Sequence, residues 1–331
     1  MSRGVGKLVA ALAVLFAFAW NNGTQLRAQV KVDEKLEVYK KSPGVSGSIK
    51  SVGSDTMNNL MTLWLEGFRK HYPGVRFEVE GKGSNTAPPA LIGGTATFGP
   101  MSRPMKPDEA DAFEKKFGYK PTSITTSIDM LAIYVHKDNP LKQLSLAQAD
   151  AIFSSTRKLG AAEDITRWGQ LGLSGDWQNL PISTYGRNSA SGTYSYFKEH
   201  ALGKGDFKSE VKEQAGSSAV VQAVASDKSA IGYSGIGYKT ADVVALPLSA
   251  KADGKPVQPE AENAYSGDYP LARPLYLYIN HKKGSALDPL RREFVKFILS
   301  KEGQEIVLKD GYIPVTSRMA KTTLEVLGIK P

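Results

Sequence analysis

At 331 residues, 41% of them hydrophobic and 23% charged, the chain is long enough for two cores and has the make-up of a globular protein, not a disordered or fibrous one. With no cysteine it can hold no disulfide, thiolate metal site, cysteine nucleophile or lipid anchor on an N-terminal cysteine. The net charge of +9, or +6 without Arg3, Lys7 and Arg27, suits attraction of anions, while the interleaving of basic and acidic residues argues against nucleic acid.

Residues 1–28 read as a secretory signal peptide. Arg3 and Lys7 precede the apolar run Leu8–Trp20, and Leu26-Arg27-Ala28 offers a cleavage point. The run is shorter than the roughly 20 residues of a membrane-spanning helix. The expected location is therefore the periplasm, with the chain free of the membrane. Residues 29–47, ending Ser42-Pro43-Gly44, read as a polar lead-in.

Ile49–Val52 is a short apolar strand that enters Gly53-Ser54-Asp55-Thr56. The spacing of Met57, Leu60, Met61, Trp64, Leu65 and Phe68 then predicts a helix with one apolar face, stopped by Pro73-Gly74. Val75–Glu80 alternates as a strand does and enters Gly81-Lys82-Gly83-Ser84-Asn85-Thr86, where a second helix starts, with Pro88 and Pro89 tolerated in its first turn. Gly93-Gly94 ends it, Thr95–Gly99 is the next strand, and Asp108–Phe117 is a charged surface helix closed by Gly118. A third strand-to-helix turn follows Ile182–Tyr185, in Gly186-Arg187-Asn188-Ser189-Ala190-Ser191-Gly192-Thr193.

Each of these turns aims free backbone N–H groups, the positive end of a helix dipole and hydroxyls at one place. Taken singly, Gly53–Thr56 and Gly83–Thr86 are also what ordinary helix capping and chain reversal require. Gly186–Thr193 is sharper, because Ser189, Ser191, Gly192 and Thr193 form a cradle and Arg187 offers a planar fork to two oxygens of a tetrahedral anion. Phe98–Arg103 adds Ser102 and a second arginine, Arg103, near a turn.

The alternation of strand and helix predicts an α/β fold with mostly parallel sheets flanked by helices. Ile128–Val135 and Leu275–Ile279 are apolar and extended, and the chain between them carries its own strands and helices. Helices at Leu290–Leu299 and Gln304–Leu308 then need a core to lean on. The expected organisation is two lobes: residues 48–128 and 275–331 in the first, 129–274 in the second. The four histidines lack metal-ligand spacing, so no metal or cofactor is expected. Asp129 reads as a hydrogen-bonding group near a hinge. The Ser189–Thr193 turn has no neighbouring base, so no catalytic residue is expected.

These segments, in this order, resemble the phosphate-binding proteins of high-affinity phosphate ABC transporters, a branch of the type II periplasmic binding proteins. The resemblance covers roughly residues 46–316. It runs through Gly53-Ser-Asp-Thr-Met57, Gly83-Ser-Asn-Thr-Ala87, Phe98-Gly-Pro-Met-Ser-Arg103, Ile128-Asp-Met-Leu-Ala132, Val135-His-Lys-Asp-Asn-Pro140 and Gly186–Thr193. It continues in Tyr269–Tyr276, Glu302-Gly-Gln304 and Gly311-Tyr-Ile-Pro314. It implies two lobes closing over a dehydrated phosphate that is passed to a membrane ABC permease, in a non-enzymatic receptor expected to be a monomer. The family's first-lobe ligands fall on Ser54, Thr56 and Ser84, with Ser102 beside them, and the second-lobe ligands on Arg187, Ser191, Gly192 and Thr193. Many relatives carry an aspartate after the serine of the second-lying turn, where it accepts the proton of phosphate and so rejects sulfate. Arg103 stands there in this chain, and Asp55 is the acceptor available from the neighbouring turn. The alternatives are another oxyanion (sulfate, molybdate or a phosphate ester), a secreted phosphatase or esterase using a serine of Ser189–Thr193, and a signalling role in which delivery is lost.

Overall fold

A computed structural model describes residues 30–329; the expected signal peptide lies outside the described residues. The first unit forms as its pattern dictates. Strand Ser48–Val52 leads through Asp55–Met57, a single 3-10 turn, into helix Asn58–His71, and strand Arg76–Glu80 returns parallel to the first, with Ser48 opposite Arg76. Leu60, Met61, Trp64, Leu65 and Phe68 are the buried face of that helix, and the Trp64 indole donates to the Gly303 carbonyl at 2.8 Å. Each such side chain contributes about 1.5–3 kcal/mol by leaving water. Helix Pro107–Phe117 ends at Gly118, whose φ of 77° provides the left-handed C-cap.

The two largest of four hydrophobic clusters among the described residues divide the chain. The first joins Leu36, Trp64, Phe68 and Phe98 to Leu275, Phe294, Phe297, Val307 and Leu327, so both ends of the sequence build it. The second contains Leu131, Ile133, Phe153, Trp168, Phe197, Tyr233 and Leu271, with Ile313 from the tail. The lead-in is less polar in role than in composition. Leu36 and Tyr39 are buried, and the Tyr39 hydroxyl bonds with the Tyr72 hydroxyl at 2.9 Å and donates to Glu293 at 3.2 Å.

Two strands pass between the cores, Ala272–Ile279 and the longer Thr122–His136, which is 15 residues long. It pairs antiparallel with Ala272–Ile279 along one stretch and with Ala230–Gly235 along another. Through these pairings the sheet runs Gly99–Met101, Ala272–Ile279, Thr122–His136, Ala230–Gly235, Ser183–Arg187, Lys212–Gln214. Ser183–Arg187 lies parallel to both its neighbours. Parallel ladders inside each half are thus joined by antiparallel ones, because the crossover strands run back alongside each other, a pairing that local alternation does not announce. The strand expected at Thr95–Gly99 forms later, at Gly99–Met101, and Ser317–Val326 adds a final helix on the first core.

Candidate functional site

The three turns meet. Ser54, Thr56, Ser84 and Ser102 from the first core, and Arg187, Ser191 and Thr193 from the second, are all buried, at 5% exposure or less. The Thr56 and Thr193 hydroxyls are 2.8 Å apart, and the Ser84 and Ser102 hydroxyls 3.3 Å. The Asp55 carboxylate reaches across to accept from the Ser217 backbone N–H at 2.8 Å and lies 3.3 Å from the Arg187 guanidinium.

Each side chain is held by its own element. Ser191 caps helix Gly192–His200, its hydroxyl accepting from the N–H groups of Thr193 and Tyr194. Its O–H proton remains available to an outside acceptor. Ser54 precedes the Asp55–Met57 turn without capping it, and its Oγ has no partner. Arg187 ends strand Ser183–Arg187; its Nη1 donates to Ser217 at 2.7 Å, while Nε, buried as well, is unpartnered. Burial works against the Arg187 charge and Asp55 beside it works for it. Helices Asn58–His71, Gly192–His200 and Ser217–Ser226 all begin here, so their N–H groups and dipoles add to the side-chain donors. The arrangement offers many donors, with two orphaned polar atoms on buried residues, and it suits an oxyanion stripped of water.

Gly192 is one place where the halves approach too closely for a side chain. A Cβ there would stand 2.2 Å from the Ser84 hydroxyl and 2.7 Å from that of Ser102. Gly192→Ala leaves helix geometry intact, since alanine is the better helix former, but it wedges the two halves apart. The expected result is an unchanged or slightly raised thermal midpoint with oxyanion affinity down by about 100-fold, as two to three hydrogen bonds are lost. Full affinity in calorimetry would show that the halves need not approach this closely.

Two of the expected residues are placed differently. The Arg103 fork closes on Glu109, with contacts of 2.8 and 2.6 Å, and also donates to the Asn85 side chain and the Pro104 carbonyl. Glu109, in the first turn of helix Pro107–Phe117, also accepts from the Lys106 N–H, and so turns Arg103 into a brace for that helix. Ser189 is exposed, and its carbonyl, not its hydroxyl, is used: it accepts from Asn85 Nδ2 at 3.0 Å. The Asn85 N–H donates to the Ala190 carbonyl at 3.2 Å, so Asn85 latches one half to the other.

Sequence reasoning missed Arg273. It is 2% exposed, donates through Nε and Nη2 to Asp129 at 3.0 and 2.8 Å, and through Nη2 to the Thr193 hydroxyl at 2.8 Å. Tyr238 and Tyr312 were missed as well: both hydroxyls donate to the Thr56 carbonyl, at 3.2 and 2.7 Å. Ser217 was findable, because Gly216-Ser217-Ser218 before an apolar helix repeats the signal of the other turns. His71, His136, His200 and His281 stay apart, and the described residues contain no cluster of metal-ligating side chains.

Residues 40–302 match the PBP superfamily domain. The chain is 52% identical over 302 residues to the phosphate-binding protein PstS of Pseudomonas aeruginosa, covering 91% of this chain and 94% of that one. It is 30% identical to the phosphate-binding protein PstS of Staphylococcus epidermidis, over 85% of this chain and 83% of that one. Among solved structures it resembles a Clostridium perfringens protein with bound phosphate, at 27% identity and a TM-score of 0.68, covering 82% of this chain and all of that one. An ABC-type phosphate transport receptor from Vibrio cholerae shares the fold, with a TM-score of 0.63 at 23% identity, over 81% of this chain and all of that one.

Proposed function

The chain belongs to the phosphate-binding proteins of the PBP superfamily, and from that premise we propose that it captures inorganic phosphate between two lobes and delivers it to an ABC permease. It is a binding protein and not an enzyme. The lobes are residues 48–128 with 275–331, and 129–274. The observation that carries this reading is the contact of turns from the two cores, Thr56 on Thr193 and Asp55 on Arg187, around the unpartnered Ser54 Oγ and Arg187 Nε. An anion held from both sides stabilises the closed form over an open one, which is how a binding protein signals occupancy to a permease.

Ser54, Thr56 and Ser84, with Ser102 behind them, are the first-lobe ligands, and Arg187, Ser191, Gly192 and Thr193 the second-lobe ligands. Asp55 is the acceptor for the proton of phosphate. Its Oδ2 is taken by Ser217, whereas Oδ1 makes no hydrogen bond among the described residues. Arg103 stands beside this set as a support for Asn85. The protein is extracytoplasmic and is released by cleavage near residue 28. No described helix is long and apolar enough to cross a membrane.

The test is calorimetry on the protein from about residue 29, freed of phosphate and titrated with phosphate and then sulfate. Tight one-to-one phosphate binding is expected, undisturbed by excess sulfate; silence to phosphate overturns the reading. In Asp55→Asn the side chain can donate to sulfate and no longer demands a proton from the ligand. The preference for phosphate over sulfate is expected to fall by about 10- to 100-fold, the value of one charged hydrogen bond. An unchanged preference removes Asp55 from this role.

A further inference from the structure

Thr56 on Thr193 and Asp55 on Arg187 cross between the halves through the proposed ligands themselves. Asn85 crosses without them. Its N–H donates to the Ala190 carbonyl at 3.2 Å, and its side-chain Nδ2 donates to the Ser189 carbonyl at 3.0 Å. The fit is close, since a Cβ on Gly83, two residues earlier, would stand 2.4 Å from the Ala190 carbonyl oxygen. Asn85 is half-buried and Ser189 exposed, so the contact lies nearer the surface than the buried hydroxyls of the site. Asn85 follows Ser84 in the chain, and Ala190 precedes Ser191. These two turns therefore cannot separate far enough to free an anion while the Asn85 bonds hold.

Arg103 decides which way the Asn85 amide points. A guanidinium only donates, so the Oδ1 that accepts from its Nη2 must face it. The amide NH2 is then turned to the Ser189 carbonyl, which only accepts. A flipped amide would set one oxygen against another. Arg103 is 5% exposed, and its fork is fixed in turn by both Glu109 oxygens.

Resting on the reading that the buried site takes phosphate, we propose that Asn85 is a latch between the halves that sets how long the anion stays bound, with Arg103 as its positioning residue. The latch forms only in the closed arrangement, so it acts on opening and release and not on encounter. No latch atom belongs to the proposed ligand set, so residence time rises alike for any oxyanion that the site accepts.

Radiolabelled phosphate, bound to the protein and chased with excess unlabelled phosphate, gives koff, and rapid mixing gives kon. Asn85→Ala keeps the backbone bond to Ala190 but loses the side-chain donor. Its koff is expected to rise about 2- to 10-fold, the value of one neutral hydrogen bond, with kon and the preference for phosphate over sulfate within about twofold of the parent's. Arg103→Lys keeps a charge opposite Glu109 but not the fork that also reaches Asn85. It raises koff by about 2- to 5-fold in the parent and leaves it unchanged in the Asn85→Ala background, a non-additivity that general loosening of the fold would not produce. A koff for Asn85→Ala less than about twofold above the parent's, a loss of affinity carried by kon, or a shifted preference between the anions overturns the latch. No effect of Arg103→Lys in the parent, or an equal one in both backgrounds, removes Arg103 from it. A parent that binds no phosphate is a failure of the functional reading and takes the latch with it. A parent that binds, beside an Asn85→Ala variant that releases at the parent's rate, is a failure of the latch alone.

Discussion

Arg187→Ala is expected to lower phosphate affinity by about 100- to 10,000-fold, the loss of two charge-assisted hydrogen bonds at about 1.5–3 kcal/mol each. The guanidinium is 1% exposed, and its surroundings account for it only in part. Ser217 takes Nη1, Asp55 and the Ala215 carbonyl lie against Nη2, and Nε is unpartnered. Without it, Asp55 keeps only the Ser217 N–H across the cleft, so the side chains that close the lobes lose their charge pairing as well as the ligand's anchor. Arg187→Lys restores charge but not the planar fork, and its affinity should fall between the two. Calorimetry, with a thermal midpoint to confirm folding, checks this. An affinity within about threefold of the parent's would remove Arg187 from the site, since one charged hydrogen bond alone exceeds that.

Asp129→Ala is expected to have the largest effect on stability, a loss of about 3–5 kcal/mol, because it strands a buried guanidinium. Asp129 is fully buried, holds Arg273 at 2.8 Å and accepts from the Ile236 N–H at 3.0 Å. Removing it leaves Arg273 with the Thr193 hydroxyl and the face of the Tyr196 ring, 5.2 Å away, and Nη1 has no hydrogen-bond partner to begin with. Replacing both residues by apolar ones of similar size should cost much less, because no charge is left buried. Urea unfolding of the single and double variants separates the two cases. A single variant within about 1 kcal/mol of the parent would mean that water reaches Arg273.

Helix Asn58–His71 and the two turns ahead of strongly periodic helices were legible because their signals are local: an apolar stripe at 3.6-residue spacing, a cap, a glycine stop. The hydroxyl-bearing helix starts were legible for the same reason, since helix starts carry hydroxyls whether or not they bind anything. Their convergence was not local. Thr56 and Thr193 are 137 positions apart, and no periodicity links them. That Asp129 satisfies hydrogen bonds could be read from one charge on an apolar strand, but its partner, 144 positions away, could not. The pairing of Arg103 with Glu109 was not legible, because charge announces itself in sequence and partner choice does not. Glu109, six positions on in a helix start, was the available hint. The exposure of Ser189 was not legible either, since a residue in a cradle-like string of hydroxyls can still lie at the surface.

The first core draws on Leu36 near one end of the described chain and Leu327 near the other, whereas the second is assembled from residues 130–271, with Ile313 as its one late addition. Order of synthesis therefore separates the halves. As the chain emerges, the second half has almost everything it needs while the first still lacks helices Pro289–Ile298, Lys301–Lys309 and Ser317–Val326. Until those arrive, Phe68 and Phe98 lack the Phe294 and Phe297 rings they pack against and Trp64 lacks the Gly303 carbonyl, and the longest contacts in sequence close last. The residues made first are thus the ones that wait longest in an unfinished state, and the last turn of the tail decides when the waiting ends.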